Sequence, residues 1–265
     1  MLLVTGFFNL NKLQNNNKVN VESYINDFIY LTSVINKYKI IVYLDNTLSN
    51  YKNLLLNINN IIVKDISLND LPLYQYLDKI KKCKLCQTYF DNLKFTPLYS
   101  IIINSKIYLL KLAINEYKDE NCFSWIDFGC MKYSYIKKHF NENDMNLPNK
   151  NEIRFCIKDE LYSHDKDIEY YFNNNPKVSG IFFGGCSKKL LDLYDFSYKI
   201  YLNFINSNRI IFEEHIMSYY ISKNYDNCQL FFGFNSDALI NIKEIRFNKH
   251  GIYPIFLKTF RNRNN

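Results

Sequence analysis

Asp127 closes the apolar run Cys122–Ile126 and is followed by Phe128 and Gly129. The letters DFG would hold magnesium over ATP in a protein kinase, but that reading fails at once. A kinase needs a Gly-rich loop, a lysine on its third strand and an HRD-type catalytic loop upstream. No GxGxxG and no HRD occurs here, and no histidine precedes His139. What remains is local physics. A short apolar run bounded by polar residues reads as a buried strand. An acid at its carboxyl end stands where open α/β sheets bind ligands. Asp127 is therefore a candidate ligand for a metal or a phosphate-bound ion, or else a turn or helix-capping residue. Gly129 would let the chain turn sharply.

Other residues could share the chemistry. Glu213 and Glu214 precede His215 at an expected helix start. The helix dipole alone favours acids there, and a carboxylate aimed into a site could instead take a proton from a hydroxyl. Gly180, Gly184 and Gly185 punctuate the apolar run Val178–Cys186. Paired glycines admit close approach by a ligand or by another backbone. Lys106 is expected in mid-helix, either solvated or set to neutralise a diphosphate. His250 could complete a site with Asp127. Cys83 and Cys86 have the CxxC spacing, but no second pair follows, so a zinc site is not expected.

The elements needed to position these groups can be read along the chain. Residues 2–8 form an apolar first strand, and 11–20 are an Asn-rich loop. Val21, Tyr24, Ile25, Phe28, Leu31 and Ile35 recur at helical spacing. Strands are expected to end at Asp45 and near Asp65, with a short helix at 49–57 between them. Such alternation predicts a parallel sheet with crossover helices. Helical character returns near 73–86, and one helix is expected over 98–117. Further strands are expected at 122–126, 152–157 and 178–186. Ser187 is expected to cap a helix running to Ile205, and another helix starts at the Glu pair. Short strands and loops end the chain.

Composition bounds the rest. The 265 residues suffice for one large α/β domain, and 48% hydrophobic content supports a core. The formal charge is +7, but the lysines are dispersed and form no stripe, so no nucleic-acid partner is expected. The seven cysteines are odd in number and scattered, which suits free thiols in a cytoplasmic protein. The start of the chain lacks a basic region and cleavage site and reads as a strand rather than a leader. No uninterrupted apolar run reaches 18 residues, so no membrane span is expected.

Taken in order, the blocks LLVTGFFNL, TPLYSIIINSKIYLLKLAI, FSWIDFGC, SGIFFGG and FEEHIMSYY resemble the bacterial HtrL/YibB family, also called the WlaTC/HtrL glycosyltransferase family. The resemblance implies a GT-A-type α/β fold with a mostly parallel central sheet flanked by helices. It implies one domain over 1–265, with 1–130 binding a nucleoside-diphosphate sugar and 131–265 carrying acceptor and catalytic parts. The implied reaction moves a sugar to a hydroxyl acceptor, as in glycan or polysaccharide synthesis. Carried over by residue, Thr5 and Gly6 would hold the nucleotide from a loop after the first strand. Asp45 would touch base or ribose, and Lys106 matches the family lysine. Asp127 would hold the diphosphate and an ion, Mn²⁺ or Mg²⁺. Gly184 and Gly185 would lie on the acceptor side, and Glu213 or Glu214 would be the base. The sequence departs from the pattern twice. His215 stands where relatives tend to carry an amide. Gly129 stands where a D-x-D motif would have its second acid, so either His250 or Asp237 completes a metal site with Asp127, or the metal is weakly held, or basic residues take its place. A nucleotidyltransferase is the rival enzyme, though its Gly-rich basic first loop is missing. A catalytically inactive carbohydrate-binding protein is the rival of another class.

Overall fold

A computed structural model describes residues 1–9, 20–85, 96–132, 151–159, 161, 166–233 and 244–245. Its centre is an eight-stranded mixed sheet. In chain order the elements are β1 (Leu2–Phe7), α1 (Val21–Val34), β2 (Lys39–Asp45), α2 (Lys52–Leu56), β3 (Ile61–Ile66), α3 (Leu77–Ile80) and β4 (Lys84–Leu85). There follow α4 (Pro97–Asn104), α5 (Lys106–Glu116), β5 (Cys122–Ile126), β6 (Ile153–Ile157), α6 (Ile168–Asn173) and β7 (Val178–Cys186). The described chain ends with α7 (Ser187–Asn206), β8 (Arg209–Ile210), α8 (Glu213–Asn224), β9 (Cys228–Phe232) and β10 (Glu244–Ile245). Strands β4 and β8 pair apart from the main sheet.

The main sheet runs β10-β9-β6-β7-β5-β1-β2-β3. Strands β1, β2, β3 and β5 pair in parallel, as do β6 and β9. Strand β7 enters between β5 and β6, antiparallel to both, and β10 is antiparallel to β9. The remaining six strands therefore point one way, and their carboxyl ends share one edge with the start of β7. This is the expected α/β class with a mostly parallel central sheet flanked by helices.

Two cores follow from the period-2 alternation of side chains. On one face Val4, Tyr43, Phe123, Trp125 and Phe183 pack beneath the helices α4, α5, α7 and α8. On the other, Leu3, Phe7, Val42 and Ile126 meet Phe28 and Leu31 of α1. Phe128 belongs to this second core, its ring stacked on Phe7 at 4.2 Å and on Phe28 at 4.0 Å. Gly129 is not in the left-handed region. It is small because a Cβ there would lie 2.5 Å from the Tyr24 ring, so helix packing, and not a turn, requires it.

The helix expected over 98–117 is broken at Ser105, whose hydroxyl donates to Ile101 O at 2.7 Å. Such back-bonding bends helices, and here it starts a fresh helix at Lys106. The 20 residues Pro97–Glu116 are long and apolar enough to cross a membrane by composition, yet over half of that stretch is buried inside the protein. Ser187 does not cap α7. Cys186 holds the cap position, and the Ser187 hydroxyl donates to Glu120 O.

Candidate functional site

The site forms at the shared carboxyl edge. Trp125 and Asp127 lie two residues apart and so project to the same face. The indole Nε1–H donates to Asp127 Oδ1 at 2.7 Å. Because α5 restarts at the bend, Lys106 reaches the same oxygen with its ammonium at 2.9 Å. That ammonium also lies 3.0 Å from Glu213 Oε1 and donates to Gly180 O at 3.0 Å. Three N–H groups thus meet three acceptors. Helix α8 supplies Glu213 from its first turn, and β7 supplies Gly180. Glu214 turns the other way, accepting from Gly180 N at 2.8 Å and from Lys158 Nζ at 2.9 Å. Glycine at 180 leaves room for the cluster, since a Cβ there would stand 2.9 Å from Glu213 Oε1 and 3.2 Å from Lys106 Nζ.

Electrostatics divide the roles. Burial alone would lower the Lys106 pKa, but Asp127 and Glu213 outweigh it and hold the ammonium well above the ordinary lysine range. Burial raises the Glu213 pKa to about 7, and Lys106 offsets this only in part while Glu214 adds to it. Glu213 Oε2 has no hydrogen-bond partner among the described residues. A carboxyl that keeps a proton near neutrality reduces the cost of burying charge here. His215 is buried deeper in α8, and burial lowers its pKa to about 3, so it is neutral.

A cleft of about 190 Å³ opens beside the cluster, lined by Gly6, Phe8, Tyr99, Lys106, Trp125 and Asp127 among others. Asp127 is the carboxylate on this wall, with its side chain 31% exposed. Its Oδ2 makes no hydrogen bond among the described residues, whereas Oδ1 is fixed twice. The side chain serves neither as a turn nor as a cap.

Several expected site residues are placed differently. Thr5 and Gly6 lie within β1 and not on a loop after it. Thr5 is fully buried and does not line the cleft. Gly6 does reach the cleft, and it lets α5 pack closely, because a Cβ would meet Leu109 at 2.7 Å. Asp45 is buried at the end of β2, where its oxygens accept from Asn9 N and Thr47 N. Gly184 and Gly185 sit inside the sheet. A Cβ at Gly184 would lie 2.0 Å from Ser124 Oγ, and one at Gly185 would lie 2.3 Å from Glu152 O, so strand packing and not an acceptor requires them. Glu213 and Glu214 stand behind Lys106 and are not part of the cleft wall. His250, Asp237 and Cys86 lie outside the described residues.

A family model described as a bacterial protein of unknown function (HtrL_YibB) matches residues 1–235. The chain belongs to that family. No curated protein matches this HtrL_YibB chain. Among solved structures it is similar to apo mouse xyloside xylosyltransferase 1, with a TM-score of 0.45 and 7% identity, over 86% of this chain and 84% of that one. It is also similar to 4-diphosphocytidyl-2C-methyl-D-erythritol synthase from Anaerococcus prevotii, with a TM-score of 0.39 and 9% identity, over 91% and 92% of the two chains. In this HtrL_YibB chain Trp125 and Lys158 join the site without having been singled out for it, and Gly180 joins it apart from the glycine pair with which it was named. Trp125 could have been found from its two-residue offset to Asp127. Lys158 and Gly180 depend on where β7 inserts.

A divalent ion at this edge would need oxygen ligands. Among the described residues no group of three His, Cys, Asp or Glu side chains could hold one. Asp127 offers one open oxygen, and a magnesium-type ion is usually held by one or two carboxylates together with waters and substrate phosphates. If Mn²⁺ or Mg²⁺ were bound, Asp127 is the described residue that would hold it and the ion would neutralise the diphosphate; no step of the proposed reaction is routed through it.

Proposed function

We propose that the chain is a glycosyltransferase that binds a nucleoside-diphosphate sugar at the carboxyl edge of the sheet and passes the sugar to a hydroxyl acceptor in glycan synthesis. One observation carries this reading. Asp127 lies in the cleft with one oxygen fixed by Trp125 and Lys106 and the other open. In the proposed step the open oxygen takes the acceptor's hydroxyl proton. The acceptor oxygen bonds to the anomeric carbon while the bond from that carbon to the diphosphate breaks, and the diphosphate leaves with the electron pair. Lys106 keeps Asp127 oriented. Its ammonium is saturated within the cluster, so it acts through Asp127 and not on the donor. Glu213 and Glu214 are positioning residues for Lys106 and Gly180, in place of the base expected of them.

The test is a thermal-shift screen of the native chain with nucleoside-diphosphate sugars, with Mn²⁺ and with chelator. A donor at a hundredfold excess over its Kd raises stability by about 2.7 kcal/mol. Transfer is then assayed with saturating donor. Asp127→Asn keeps the shape and removes the basic oxygen, and is expected to cut transfer about 10²–10⁴-fold while the donor shift persists. No shift with any donor, or full transfer by the variant, would overturn the reading.

A further inference from the structure

Strands β5 and β7 bring Cys122 and Cys186 into register as direct cross-strand neighbours. Both are free thiols and neither is fully buried. The type of pair follows from the ladder. Asp127 N donates to Ile181 O at 2.8 Å, and Ser187 N donates to Asn121 O at 3.0 Å. Both of these are hydrogen-bonded positions of the same register. Bonded and non-bonded pairs alternate along an antiparallel ladder. Counting from either end, Cys122 and Cys186 form a non-hydrogen-bonded pair. Such pairs hold their Cα atoms about 4.5 Å apart with side chains close, within the roughly 4.4–6.8 Å that a disulfide spans. The next non-bonded pair shows the same closeness, because a Cβ on Gly184 would stand 2.5 Å from Ser124 Cβ.

We propose that Cys122 and Cys186 form a cross-strand disulfide on exposure to a disulfide oxidant such as oxidised glutathione. One thiolate attacks the oxidant, giving a mixed disulfide and expelling one glutathione thiolate. The second cysteine thiolate attacks the mixed sulfur and expels the other. The two cysteines lose two protons and two electrons, and the oxidant takes them up. Burial pushes the Cys122 thiol up to about 11, so the first attack is assigned to Cys186. The bond would tie β5 to β7 at the ends remote from Asp127 and Gly180.

The native chain is reduced, freed of reductant, and incubated folded with oxidised glutathione, then alkylated and digested without reduction. The expected result is an intact mass lower by about 2 Da before alkylation, with a peptide pair joining Cys122 to Cys186 after digestion. A rise in melting temperature that reductant reverses is also expected, since the link constrains the unfolded chain. Cys122→Ser should show neither the link nor the rise. Both cysteines remaining alkylatable, stable glutathione adducts, a link to any other cysteine, or a link formed only in denaturant would each overturn the proposal. Mapping uses the unsubstituted chain, so the outcome stands even if the variant misfolds.

Discussion

At the residue scale, the arrangement turns on where a proton sits. Glu213 prefers to keep one, its pKa having risen from 4.5 to about 7 on folding. The native state then binds more protons than the unfolded chain between those values, so this contribution to stability is full below pH 4.5 and lost as pH rises through 7. His215 works in the opposite sense. Its folded value falls from 6.5 to about 3, so its contribution is present above pH 6.5 and lost as pH falls towards 3. Because the windows overlap, the test is differential. Glu213→Gln removes one slope and leaves the other. Melting temperature is expected to rise more steeply between about pH 5 and 7 in the variant than in the native chain. Parallel curves would show that Glu213 does not titrate there. Asp127 was legible in advance because a strand-end acid announces itself by position. Its partners were not. Lys106 reads as either solvated or set to neutralise a diphosphate until the bend at Ser105 places it at a helix start, and Glu213 reads as either a dipole-stabilised acid or a base until β7 brings Gly180 against it.

At the scale of elements, the glycines of β7 divide by what they face. Gly180 faces the ionic cluster, while Gly184 and Gly185 face neighbouring strands. Ala at 180 would push on Glu213 Oε1 and Lys106 Nζ, the ends of long side chains that can give way. It is expected to destabilise by about 1–3 kcal/mol and to lower transfer sharply by displacing Lys106 from Asp127. Ala at 185 meets backbone at 2.3 Å and 2.8 Å, which cannot give, so the expected result is little folded protein. Denaturant melts and transfer assays on the two variants separate these outcomes. Equal behaviour would mean that Gly180 has no role peculiar to the site. The strands themselves were readable from apolar runs and polar boundaries, and the N-terminal helix from its spacing. Strand direction was not, since a run such as VSGIFFGGC carries no mark of whether it pairs parallel or antiparallel. Thr5 and Gly6 illustrate the same limit. Small residues near an apolar run can end a strand or lie inside it, and only pairing with Val42 and Tyr43 decides.

For the molecule as a whole, the two expected parts share one sheet. Residues before 131 supply β1, β2, β3 and β5, and those after it supply β6, β7, β9 and β10. Lys106 and Asp127 come from the first part, Gly180 and Glu213 from the second. Neither part closes the cluster alone, so a single unfolding transition is expected, with near- and far-ultraviolet circular dichroism coinciding in urea. Two separated transitions would mean that the halves are independent. The insertion of β7 between β5 and β6 also sets a timetable. Glu213 leaves the ribosome roughly a hundred residues after Lys106, and at about 5–20 residues per second that is an interval of about 5–20 s. The lysine lacks its carbonyl until Gly180 is made and its second carboxylate until Glu213 follows. The middle of the sheet is filled late by a strand made after both of its neighbours, so a nascent chain carries every residue of the first part and still no assembled site.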